Sequence, residues 1–316
     1  MILALAGGVG GAKLAHGLAR ILSPDELVIA VNTGDDFEHL GLHISPDLDS
    51  VMYKLAGLND TERGWGLADE SWHFMAALAR LEAETWFNLG DRDLATHVER
   101  TRRLATGETL SQITTALCHA LGIDHTVVPM TDSAVRTMVT TEAGTIPFQD
   151  YFVRLRCEPV VTGFLFNGTE QVHLAPMFAE ALGSEDLSAI VICPSNPYVS
   201  IDPILSLADV ATAIEERRVP LVAVSPIIGG GAIKGPAAKM MTELGLQPSA
   251  ASIASHYGRR LDGLVIDQTD EALAPKIEAM GIAIHVAQTI MKTADDERML
   301  AQEVLTFAAS LNVRTG

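Results

Sequence analysis

Positive charge, cysteine and aromatic rings are all scarce in this chain, and each shortage bears on a class of function. The 22 Lys and Arg residues face 40 Asp and Glu, a formal net charge of −18. Nucleic-acid binders draw their affinity from basic patches that neutralise backbone phosphate, so the balance argues against that class. An anionic ligand must then be held by local N–H groups, by one or two cations or by a metal, and the acidic excess suits divalent cations. Cys118, Cys157 and Cys193 are an odd, widely spaced set, which fits neither a disulfide framework nor a zinc site. No apolar stretch approaches the ~20 residues that span a bilayer. The opening residues lack the charged region and cleavage site of a secretory leader, so a soluble, cytoplasmic protein is expected. What is present is a globular composition: 316 residues, 48% hydrophobic and 20% charged, enough for a sizeable core in one domain or two.

The most informative stretch is the first. Met1–Ala6 is an apolar run, glycines follow at Gly7, Gly8, Gly10 and Gly11, and a helical pattern begins at about Ala12. Strand, glycine turn and helix together hold phosphate: glycine lets the backbone approach the anion, and the first N–H groups of the helix point at it. The loop matches neither common nucleotide motif. Counted from Gly8, Lys13 stands where a dinucleotide fingerprint has its third glycine. Counted from Gly7, Ala12 and Leu14 replace the second glycine and the magnesium-binding hydroxyl of a Walker A loop. A phosphate loop is expected, with its ligand open.

Leu27–Val31 reads as a second buried strand, reached through the first helix in a right-handed βαβ start. Beyond it Asn32 stands where a dinucleotide-binding fold places its ribose-holding acid, and Asp35, Asp36, Asp47 and Asp49 follow. Asp47 and Asp49 lie in Ser45-Pro46-Asp47-Leu48-Asp49 and can cap a helix. Carboxylates downstream of a phosphate loop also suit magnesium, which makes Asp35, Asp36 and Asp47 the metal candidates.

Residues 49–184 read as a mainly helical insertion with short strands, dividing a Rossmann-like nucleotide-diphosphate core at 1–48 and 185–316. Helices are expected at about 49–55, 69–81, 94–105 and 110–121. Trp65, Trp72 and Trp86 all fall in this insertion, a candidate platform for a flat ring. The core resumes with the apolar runs Ser188–Cys193, Pro220–Val224, Leu264–Ile266 and Ile282–His285, and a helix at about Asp295–Leu311 closes it. Pro194-Ser195-Asn196-Pro197 puts two small polar residues at the C-terminal end of a core strand, where open α/β sheets bind ligands. Gly229-Gly230-Gly231, with Lys234, forms a second anion-binding candidate.

The segments GGVGGAK, NTGDD, SPDLDSVMY, GWGLADESWHFM, TWFNLGDRDLATH, PMTD, PSNP, SPIIGGGAIKGPAAKMM and GLVIDQTD together resemble the phospholactate transferase family of deazaflavin coenzyme F-420 biosynthesis, from Ala6 to about Asp270. The resemblance implies a magnesium-dependent transfer. The donor is a guanosine diphosphate diester of a small acid, so that phospholactate, phosphoenolpyruvate or phosphoglycerate is the group transferred. The acceptor is the ribityl hydroxyl of Fo, a deazaflavin, and GMP leaves. It also implies that Gly8, Gly10, Gly11, Lys13, Ser195 and Asn196 border the guanosine diphosphate, with Gly229 and Gly230 helping. Asp49 and Asn88 match Fo-binding positions, Asn88 standing where the family often has Lys. Asp49 and Asp36 are the catalytic candidates, and a homodimer is the expected assembly. The rival expectation is a nucleotide-sugar-binding regulator of the related gluconeogenesis-factor group. That group shares the glycine turn and the Asn-x-x-Asp-Asp loop but would not be expected to carry SPDLD or LGDRD.

Overall fold

Short runs of Val, Ile, Leu and Ala without polar alternation are stable as strands only where both faces of a sheet are covered. In the computed structural model, which describes residues 1–170, 172–233 and 235–311, seven such runs form one parallel sheet. They are β1 (Ile2–Ala6), β2 (Leu27–Val31), β3 (Thr126–Pro129), β4 (Ala189–Ile192), β5 (Leu221–Val224), β6 (Gly263–Asp267) and β7 (Ala283–Ala287), in the order β7-β6-β5-β4-β1-β2-β3. β1 pairs with β2 from Ile2–Leu27 to Ala6–Val31 and with β4 from Ile2–Ala189 to Leu5–Ile192. Side chains alternate between two cores. Leu3, Leu5, Val28 and Ala30 enter one, and Ile2, Ala4, Ala6 and Ile29 enter the other.

The chain winds one way from β1 to β3 and the other way from β4 to β7, so the order reverses between β1 and β4. A crevice opens there at the carboxyl ends of the strands, where open α/β sheets take their ligands. The helices that shape it are α1 (Gly8–Ala19), α2 (Pro46–Leu55) and α3 (Asp93–Ala105), while α4 (Ala294–Ser310) packs against α1.

Three expectations need correction. Thr126–Pro129 lies inside the proposed 49–184 insertion, yet it pairs with β2 as the edge of the core sheet. α2 likewise packs Leu48, Val51 and Met52 into the core shared with α1. The non-core material is therefore in two pieces, one between α2 and β3 and one between β3 and β4. The second carries an antiparallel sheet of Arg136–Thr141, Gly144–Pro147 and Val161–Asn167. α1 begins at Gly8 rather than near Ala12, so the glycines form its first turn. The helix expected at 69–81 covers only His73–Arg80, and Asp69 before it takes a φ of 54°. Among the described residues no helix is long and apolar enough to cross a membrane.

Candidate active site

The glycines at the head of α1 are there because the helix is docked almost onto the backbone of its neighbours. A Cβ on Gly10 would stand 2.2 Å from the Pro194 carbonyl oxygen, and one on Gly11 would stand 2.5 Å from Ser195 Oγ. No side chain fits either gap. The same docking brings Ser195 Oγ to 3.1 Å from the Gly7 N–H, which donates to it. Pro194, Ser195 and Asn196 thus close the crevice opposite the glycine turn. Asn196 also caps the turn that follows, its Oδ1 accepting from Tyr198 N–H at 3.1 Å.

Asp47 fastens α2 to this turn. One carboxylate oxygen accepts from the Gly8 N–H at 2.7 Å, and the other accepts from Asn32 Nδ2 at 2.9 Å. Burial pushes the Asp47 carboxyl up to about 6, against the pull of those hydrogen bonds. Asp35 is held well above the usual carboxylate range, first by burial and then by the charge of Asp47. Asp35 Oδ1 is buried without a hydrogen-bond partner. Two buried carboxylates, one of them raised by the charge of the other, beside a phosphate turn form an oxygen-only donor set, which suits magnesium. The third metal candidate, Asp36, is close enough for its charge to raise both Asp35 and Asp47, and its Oδ1 is also buried without a hydrogen-bond partner. Asp36 does not line the cavity, because its Oδ2 accepts from Ser45 Oγ at 2.8 Å and meets His43 Nε2 at 3.1 Å.

Asp49, one turn along α2, reaches the cavity but is not a free carboxylate. The Arg100 guanidinium of α3 grips both of its oxygens, NH1 lying 3.1 Å from Oδ2. Burial raises the Asp49 carboxyl even so, with the charges of Arg100 and His97 opposing. Behind it His97 Nδ1 lies 3.6 Å from Asp49 Oδ2, His97 Nε2 lies 3.3 Å from Asp93 Oδ2, and the Tyr53 hydroxyl donates to Asp93 at 2.5 Å. Burial alone would raise Asp93, but its bonds from His97 and Tyr53 leave it lowered. Asp49, Asp93 and His97 bring three potential ligand atoms within 4.8 Å of one another. With Arg100 already on Asp49, the cluster is an ion-pair network, and the carboxylate is not placed to act as a base. Asp93, His97 and Arg100 were missed by the sequence reading, although their i, i+4, i+7 spacing puts them on one face of the expected helix.

These groups line one cavity of about 920 Å³, at the upper end of ordinary ligand sites. The lining includes Gly7, Gly8, Gly10, Ser195 and Asn196 of the two turns, the carboxylates of Asp35, Asp47 and Asp49, the rings of Trp65, Phe87, Phe148 and Phe152, and Asn88. Gly11 is not in that lining, and its role is the close docking just described. Lys13 lines the cavity and donates from Nζ to the Met291 carbonyl at 2.6 Å. Gly229 and Gly230 are outside the lining. They have φ of 57° and 82° at the tip of a small hairpin, and the Gly229 N–H donates to Asp270 Oδ2 at 3.0 Å. Glycine there serves the turn, while the flanking Ile228 and Ala232 face the cavity. Lys234 lies outside the described residues. Of the three tryptophans only Trp65 reaches the cavity. Trp72 meets it edge-on at 6.0 Å, with the Arg63 guanidinium over both rings, and Trp86 packs on Phe37.

A family model described as 2-phospho-L-lactate transferase CofD matches residues 2–306. A phosphoenolpyruvate transferase of Streptomyces coelicolor is 39% identical over 313 residues, covering 97% of this chain and 98% of that protein. A 2-phospho-L-lactate transferase of Methanococcoides burtonii is 35% identical over 310 residues, covering 98% of this chain and all of that protein. A solved structure of a UPF0052-family protein from Bacillus halodurans aligns with a TM-score of 0.61 at 13% identity, over 96% of this chain and 98% of that one. That last likeness is one of fold.

Proposed function

The chain belongs to the 2-phospho-L-lactate transferase CofD family and is a transferase of F-420 biosynthesis, and from that premise we propose its substrates and the work of its site. The donor is a guanosine diphosphate diester of a small acid, the acceptor is the ribityl hydroxyl of Fo, which takes the acid with its neighbouring phosphate, and GMP is released. The observation that carries this reading is a single cavity lined by two unlike sets of groups: a phosphate-type glycine turn at the strand-order reversal, and aromatic rings that suit a flat ligand.

The residues divide the work as follows. The first turn of α1 directs N–H groups at the diphosphate, and Asp47 fixes the angle of that turn through its bond from Gly8. Ser195 and Asn196 border the guanosine side. Asp49, locked by Arg100, offers its remaining lone pairs to the acceptor hydroxyls and orients them. Asn88 also borders the acceptor. Asp35 and Asp47 are the residues that would hold Mg²⁺. When bound, the ion supplies charge neutralisation at the diphosphate and acidifies an alcohol, so the reaction needs no dedicated protein base. A homodimer is the expected assembly, to be checked by light scattering.

The test uses the purified protein with Fo, Mg²⁺ and, in turn, the guanosine diphosphate esters of enolpyruvate, lactate (through its 2-oxygen) and glycerate (through its 3-oxygen). Mass spectrometry should find the Fo phosphodiester and an equal amount of GMP with at least one of them. No product with any donor, together with calorimetric binding of a uridine-diphosphate sugar, would favour a regulatory protein instead.

A further inference from the structure

Between α1 and α2 a cleft of about 30 Å³ opens beside the main cavity, lined by Lys13, Lys54, Ser50 and Asn59 among others. One water-sized group needs roughly 10–15 Å³ of such space, so the cleft has room for the two oxygens of a carboxylate. Val9, Tyr53 and Trp65 line both spaces, which makes the cleft a side chamber next to the first turn of α1. Asp35, Asp47, Asp49 and Asp93 line the main cavity together with Lys13, Arg63 and Lys292, whereas the chamber is lined by Lys13 and Lys54 and by no carboxylate. Both lysines are tethered. Lys13 Nζ donates to the Met291 carbonyl at 2.6 Å, and Lys54 Nζ stands 2.8 Å from Glu297 Oε1. Glu297 is shared, its other oxygen meeting His16 Nδ1 at 2.5 Å. Side chains already held in place lose little further freedom when a ligand arrives.

We propose that this side chamber binds the carboxylate of the transferred acid, with Lys13 and Lys54 as its cationic walls. The inference rests on the donor reading above. With the diphosphate at the first turn of α1, the acid esterified to it leaves the turn on the α2 side, where the chamber offers two lysines and no carboxylate. The chamber then admits donors that carry a carboxylate close to the ester oxygen and gives nothing to donors that lack one.

Donor binding measured by calorimetry without Fo tests this directly. The ligands are the guanosine diphosphate ester of enolpyruvate and the same ester with a methyl group in place of the carboxylate. The natural sequence should bind the carboxylate form at least ~10-fold tighter, the size of one charge-assisted hydrogen bond. In Lys13→Met and in Lys54→Met that ratio should shrink towards one, and Lys54→Arg should keep most of it. Because the ratio is read within each variant, a general loosening of the site cancels. A ratio near one in the natural sequence, or a ratio unchanged in both Met variants, would overturn the chamber. Protein that shows the expected ratios yet transfers nothing to Fo would defeat the transferase substrates and leave the chamber standing.

Discussion

Asp49 and Arg100 meet away from water, so the two charges must be judged together. Removing one leaves the other buried and uncompensated, a loss of about 3–5 kcal/mol in comparable pairs. Asp49→Ala is therefore expected to lower stability as well as activity, and urea denaturation should show both a lower midpoint and an unchanged slope. Asp49→Asn, which keeps hydrogen-bonding capacity, should lose less stability and separate the two effects. Asp47 and Asp35 set a pH dependence of known sign. A carboxyl raised from 3.8 to about 6 holds its proton more tightly in the folded state. Its contribution to stability falls as pH rises from about 4 to 6, by on the order of 3 kcal/mol for Asp47. Mg²⁺ should restore what ionisation removes, so the melting-temperature gain on adding Mg²⁺ should be small at pH 5 and large at pH 7.5. An equal gain at both pH values, or an undiminished one in Asp47→Asn, would count against metal at this pair. At this scale the sequence announced the acids but not their roles. Asp36 looked equivalent to Asp35 until Ser45 and His43 claimed it, and Arg100 could be matched to Asp49 only once α2 and α3 were seen side by side.

The elements show a similar division. The core strands were readable because a parallel strand buried on both faces must be apolar throughout, as LVIAV and SAIVIC are. β3 was the exception: Thr126–Pro129 is short and its role as the sheet's edge depends on register with Val28–Val31. The start of α1 was also hidden, since glycine has poor helix propensity and docking, not propensity, makes Gly8–Gly11 helical. Docking also accounts for Gly17, where a Cβ would come within 2.1 Å of the Glu297 carbonyl oxygen on α4. Gly17→Ala should force α1 and α4 apart, costing about 1–3 kcal/mol and lowering Tm by several degrees. Gly10→Ala should act at the site instead, since it would push the turn from Pro194 and weaken GDP binding measured by calorimetry. Equal loss of GDP affinity in both variants would show that the two contacts are not independent.

For the molecule as a whole, the α/β class was legible from the succession of apolar runs and helices, while the cavity was not. It is assembled from residues spread between Gly7 and Lys292, and no local signal links them. Gly7 and Ser195 are 188 residues apart along the chain and in contact in the fold. β1, inside the sheet, takes its neighbour β4 from the far side of all the intervening structure. Contacts that close so long a loop form slowly, because the loop must be ordered before the contact rewards it. All three tryptophans lie within that loop, so their fluorescence reports its ordering and GDP binding reports its closure. In refolding from urea the fluorescence should recover first and GDP binding later, and coincident recovery would mean that the fold closes in a single step. The glycine turn at the start of the chain is thus synthesised early yet becomes a binding site late, and a nascent chain that has not reached Ser195 has a phosphate loop with nothing to close it.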